Sequence, residues 1–187
     1  MKAIYILLTR TTSVPSRLIG RFTNDPYTHV SISFEDELPV MYSFARKYAR
    51  LPLPAGLVKE QLDHGFYLSQ KDSPCRLMKL RVPDAIYRRA KNRVADMYAL
   101  RSEYSYSVLG LIMCKLDIAM EIPGRYFCSQ FVGKVLSDSG ALDLPKPPTL
   151  MHPYDFDGLA GVTPVFTGQI GELSHVLNMY GDCRIPA

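Results

Sequence analysis

Arg125-Tyr126-Phe127-Cys128-Ser129-Gln130-Phe131-Val132, preceded by Pro123-Gly124, is the stretch from which the fold is read. From Cys128 onward, Phe131, Val132, Val135 and Leu136 share one helical face. Lys134 and Asp138 share the other, and Gly140 stands where a helix stops. A cysteine in the first turn of a buried helix meets unpaired N–H groups and a partial positive charge, which stabilise a thiolate. The same N–H groups can receive an oxyanion. Such a nucleophile needs a base, so the histidines come next.

His64 and His152 sit in loop-like sequence beside Gly65 and Pro153, and His175 lies in the tail. His29 alone falls in the middle of a strand-like run, Tyr27-Thr28-His29-Val30-Ser31-Ile32-Ser33-Phe34, with strict alternation. Val30, Ile32 and Phe34 share one face. His29, Ser31 and Ser33 share the other, which reads as the wall of a cleft with room beside the imidazole. Most strand histidines do no chemistry, and a buried cysteine is commonly a small core hydrophobe. Together, however, Cys128 and His29 are the two halves of a nucleophile–base pair.

Length and composition set the bounds. A chain of 187 residues and 21.1 kDa is read as one domain, residues 1–187, with enough chain for a proper core. With 47% hydrophobic and 21% charged residues it is not of disordered composition. The net charge of +4 permits an anionic partner, but no basic run is interleaved with aromatics, so no nucleic-acid partner is expected. The cysteines are Cys75, Cys114, Cys128 and Cys183. None forms C-x-x-C or lies near a histidine at zinc-ligand spacing, which argues against a structural zinc or a thioredoxin-type motif. The run Ala3–Leu8 is too short for a signal-peptide core, and no apolar stretch is long enough to span a membrane. The expectation is a cytoplasmic protein with reduced thiols.

Along the chain, residues 2–9 read as a buried strand and 13–22 as a short helix. Glu35-Asp36-Glu37 is a hairpin turn, and 38–45 return as a second strand in which Pro39 suits the start. Arg46 to Pro54 reads as a basic, proline-rich surface loop, and 56–68 give no clear signal. Cys75–Val82 is a strand. Pro83-Asp84 opens a long helix to about Leu100, with Ile86, Ala90, Val94, Met97 and Tyr98 inward. Tyr104-Ser105-Tyr106, an apolar helix near 107–119 and the Cys128 helix follow. Residues 143–158 are a proline-rich connection, Val162–Thr167 a strand, and the tail gives no clear signal. The class is α+β, an antiparallel sheet with helices packed on it.

With His29 preceding Cys128, the order resembles the circularly permuted branch of the NlpC superfamily, papain-like in fold, which includes YiiX-like and lecithin-retinol acyltransferase-like proteins. The motifs that carry the resemblance are Tyr27–Ile32 around the histidine, Phe127–Val132 around the cysteine, and the aromatic pair Tyr104 and Tyr106 upstream of the thiol. It implies a single permuted papain-like domain acting as a cysteine hydrolase or acyltransferase on an amide or ester of a peptide, a cell-wall fragment or a lipid-like substrate. Cys128 would be the nucleophile and His29 the base, with no metal or organic cofactor implied. The family usually places a third polar residue on the strand after the histidine. Here that strand offers Tyr42 and Ser43, which a one-residue register slip exchanges. Ser43 is the preferred orienter, being small and able to accept from an imidazole N–H. The Cys128 N–H, with a hydroxyl from Tyr104 or Tyr106, would hold the oxyanion, with Tyr42 the further candidate for contact with substrate. A catalytically idle papain-like domain used for binding is the alternative. A thiol redox protein would need Cys114 brought close to Cys128.

Overall fold

The computed structural model describes residues 1–10, 26–35, 37–38, 40–48 and 51–180. The expected helix at 13–22, Asp36, Pro39 and Cys183 lie outside them. An antiparallel six-stranded sheet runs in the order β4-β3-β2-β1-β5-β8. Its strands are β1 (Lys2–Thr9), β2 (His29–Phe34), β3 (Val40–Tyr48), β4 (Leu51–Gln61), β5 (Pro74–Val82) and β8 (Val162–Gln169). Between β5 and β8 lie the helices α1 (Asp84–Ala99), α2 (Val108–Lys115) and α3 (Cys128–Asp138), and α4 (Ile170–Tyr180) closes the described chain. A small parallel ladder joins β6 (Ser105–Tyr106) to β7 (Arg125–Tyr126). The fold is therefore α+β with a mainly antiparallel sheet, as the alternating runs imply.

Residues 46–54, expected as a loop, are mostly strand. β3 continues to Tyr48 and β4 starts at Leu51, with a register irregularity between Arg46 and Tyr48. Prolines mislead here because β4 is an edge strand, where a missing N–H need cost no ladder bond. The apolar helix near 107–119 is shorter than expected, Val108–Lys115. It is capped by Ser107, whose hydroxyl accepts from the Gly110 N–H, and it leaves Val108, Leu109 and Ile112 well exposed. The tail forms α4, and along α1 Tyr87 joins Ala90, Val94 and Met97 as fully buried, with Ile86 and Tyr98 only partly so.

Both faces of the sheet are covered. Val30, Ile32 and Phe34 join Tyr42, Phe44 and the buried faces of α1 and α3 in one cluster. Tyr5, Leu7, Met41, Leu62, Tyr67, Leu77 and the start of α4 form a second cluster on the opposite face. Ser31 and Ser33, expected in a cleft wall, are thus buried beneath this second cluster. The Cys128 helix packs on the opposite face from His29, its Phe131 ring 5.3 Å from that of Phe44. Apolar surface decides this, because α3 presents Phe131, Val132, Val135 and Leu136 and matches the Val30 face. Its end is as read, with Gly140 at φ 72° after the last turn and the Ala141 N–H donating to Leu136 O at 2.8 Å.

The seam between β2 and β3 is unusually short. β1 and β2 pair from Ile4↔Phe34 to Thr9↔His29, whereas among the described residues β2 pairs with β3 only at Ile32↔Tyr42. Phe44 stabilises this region from one face, with ring contacts to Tyr104, Tyr126 and Phe131. Phe44→Ala should cost about 3–5 kcal/mol, the usual toll for emptying a buried aromatic site. Urea unfolding of the two proteins measures it, and a loss under about 1 kcal/mol would contradict this packing.

Candidate active site

Two local features deliver Cys128. The β6–β7 ladder pairs Tyr106 with Tyr126 and feeds an extended Phe127 into the helix. Cys128 is then the first residue of α3, as the sequence implied, so its backbone N–H lies among those without an intrahelical acceptor. The side chain is buried, 3% exposed.

His29 is the first residue of β2 rather than a mid-strand residue, at the end where β2 has parted from β3. Its side chain and that of Cys128 are hydrogen-bonded. Its Nε2 lies 3.2 Å from Glu60 Oε2, which leaves Nδ1 as the ring nitrogen open to the sulfur. Glu60 is on β4, two strands away. The register explains how they meet. Ile32↔Tyr42 places His29 and Ser43 on one face, and Met41↔Glu60 places Glu60 on that same face. Ser43 lies between them and is small enough for imidazole and carboxylate to meet over it. Its hydroxyl donates to Glu60 Oε2 at 2.7 Å.

Ser43 therefore shares the His29 face, as preferred, but its hydroxyl engages the carboxylate rather than the imidazole. Tyr42 does not share that face. Its ring is edge-on to Phe34 at 6.5 Å and to Tyr98 at 5.8 Å in the core, because the ladder matches it with Ile32. The Tyr104 ring packs against those of Phe44 and Tyr126. The Tyr106 phenol, on a half-buried residue, is pushed well above the usual range by desolvation and by the nearby Cys128 sulfur, so it stays an O–H donor. Glu60 is the residue that sequence reasoning passed over. It is the only acidic side chain between Glu37 and Asp63, a signal open to a search extended one strand beyond the histidine hairpin.

The electrostatics follow from burial. Burial alone would lower the His29 pKa. The Glu60 carboxylate, with the Cys128 and Glu60 hydrogen bonds, outweighs it and raises the pKa from 6.5 to about 10. The other described cysteines are shifted by burial. Cys75 is pushed up to about 12, with Glu172 adding to the effect. Cys114 is pushed up to about 11 by burial, although Lys146 and Lys115 pull it down, and His152 Nε2 lies 3.9 Å from its sulfur. No family model, curated protein or solved structure matches the chain. Among the described residues, no helix is long and apolar enough to cross a membrane.

A raised histidine pKa means that the folded state holds the proton more tightly than the unfolded chain. The stability this contributes is complete below pH 6.5 and is lost as pH rises through about 10. Histidine-selective NMR should find the His29 ring still protonated at pH 8. Glu60→Gln removes the opposing charge and should lower the midpoint by more than one unit, while flattening the alkaline loss of stability. A wild-type midpoint at or below the ordinary histidine value would refute the Glu60–His29 pairing.

Proposed function

We propose that the chain is a cysteine hydrolase or acyltransferase acting on an amide or ester, on a papain-like fold in permuted order. The observation that carries this is one imidazole bonded to a helix-N-terminal thiol on one side and to a buried carboxylate on the other. A half-exposed strand histidine would need neither partner.

In the proposed reaction, His29 already holds the proton given up by the thiol, as its raised pKa requires, and the Cys128 sulfur attacks the carbonyl carbon. The resulting oxyanion is held by the Cys128 N–H, with the Tyr106 hydroxyl as second donor. The carbon–nitrogen or carbon–oxygen bond then breaks, and His29 returns the proton to the departing amine or alcohol. Water, or the hydroxyl or amine of an acceptor, then attacks the thioester, giving its proton to His29 and freeing the sulfur. Glu60 keeps the ring oriented and stabilises its protonated form, and Ser43 fixes Glu60. The substrate class remains a peptide, cell-wall fragment or lipid-like acyl compound.

The competing reading is an idle papain-like domain that only binds. The near-complete burial of Cys128 favours it. Labelling with iodoacetamide near neutral pH, read by mass spectrometry, separates the two. The hydrolase reading expects Cys128 to be modified first and Cys75 and Cys114 to stay inert. His29→Ala should slow Cys128 by roughly 10²-fold or more, in the range of a lost acid–base partner. Glu60→Gln should slow it less. Preferential labelling of Cys75, or a Cys128 rate indifferent to His29→Ala, would sink the catalytic assignment.

A further inference from the structure

A pocket of about 400 Å³ wraps the outer flank of the edge strand β4, and Glu60 is among its lining residues. That volume falls within the usual span of ligand sites, about 300–1,000 Å³. Arg46, Lys59 and Arg101 line it as well, with Phe66 packed toward one face of the sheet and Tyr98 toward the other. Among the described residues, Glu60 is the only carboxylate in the lining, and it is already held by His29 and Ser43.

The three cations are placed differently from others in the chain. Arg76 reaches Asp157 at 2.8 Å, Lys91 reaches Glu37 at 3.3 Å and Lys146 reaches Asp155 at 2.6 Å. No ion pair among the described residues uses Arg46, Lys59 or Arg101. They rest on rings instead. Arg46 lies 4.5 Å from the centre of Phe66, and Lys59 and Arg101 both lie 4.8 Å from the centre of Tyr98. A ring face attracts a cation without cancelling its charge; Arg101 also donates to Tyr98 O at 3.3 Å, and the Glu60 charge acts on Arg46. Two like charges sharing Tyr98 repel each other, and an anion between them would remove that cost.

We infer that this pocket binds an anionic group, of carboxylate or phosphate type, carried by the acyl substrate. The inference rests on the hydrolase reading for the word substrate, whereas the anion site stands on its own geometry. Lys59 and Arg101 meet at Tyr98 on the Tyr42 side of β4, whereas Glu60 turns to the His29 side, so a substrate anchored by these cations reaches Glu60 around the strand edge. Anchoring remote from the reacting bond is a usual way to position an acyl group.

Binding decides the site, and turnover decides its link to chemistry. Calorimetry on the full chain at low salt uses citrate and tripolyphosphate as probes. At least one should bind with Kd below about 1 mM. Citrate alone would identify a carboxylate site, and tripolyphosphate alone a phosphate site. Lys59→Gln/Arg101→Gln should weaken binding at least tenfold, while Cys128→Ser should leave it unchanged. Arg88→Gln/Lys134→Gln, which removes the same charge elsewhere, should also leave it unchanged. No binding at about 10 mM, or an equal loss in both double variants, would overturn the site and leave a solvated basic face. For turnover, mono-p-nitrophenyl glutarate is compared with neutral p-nitrophenyl acetate. The anionic ester should have the lower KM, and Lys59→Gln/Arg101→Gln should erase that preference with kcat little changed. Equal KM values in the wild type would separate the site from the substrate. Binding without turnover of either ester would mean that the hydrolase reading has failed and the anion site has not.

Discussion

Two ionisable groups kept out of water hold this site together. Glu60 and His29 have side chains only 10% and 11% exposed, and each makes the other tolerable there. Separately, each would be driven toward its neutral form. Together they require that three strands agree in register, that the residue between them be small, and that the sheet be covered on the side where they meet. Ser43 meets the second demand and contributes a hydroxyl to the carboxylate. The cluster around Tyr67, Met41 and Leu62 meets the third. The buried Tyr67 phenol, pushed well above its usual range by burial and by Glu60, offers the carboxylate a neutral neighbour.

The thiol reaches this pair from the opposite side of the sheet. α3 is anchored on the Val30 face by its apolar stripe, and only its first residue extends to the end of β2. The parting of β2 from β3 beyond Ile32 gives the imidazole a place accessible to both partners. Burial of the helix and exposure of the imidazole to two polar groups are therefore met by one irregularity in the ladder. A fully zipped seam would keep His29 on one face and Cys128 on the other.

Much of this was legible in the sequence. The period-two run at Tyr27–Phe34 and the helical face of Phe131, Val132, Val135 and Leu136 are strong local patterns, and both elements formed with little shift of their ends. Gly140 stopped its helix for the conformational reason expected of it. What local pattern could not supply was depth. Ser31 and Ser33 alternate like solvent-facing residues, yet a second layer covers them, and nothing within β2 announces that layer. Prolines at 52 and 54 hid β4, because a propensity rule weighs a residue without knowing that its strand lies at an edge. Glu60 was hidden with it. Tyr42 and Ser43 stayed ambiguous until pairing fixed the parity of β3.

The short seam also divides the sheet into two mechanical parts. β3 and β4 form a hairpin that carries Ser43 and Glu60, while β1, β2, β5 and β8 form a larger plate that carries His29. Among the described residues, backbone pairing between hairpin and plate is confined to Ile32↔Tyr42, so partial opening of the hairpin is resisted mainly by the packing of Tyr42, Phe44 and Leu57. When it lifts, the carboxylate leaves with it and the imidazole stays behind with the sulfur. Amide protection along β3 and β4 then reports how often the acid is seated.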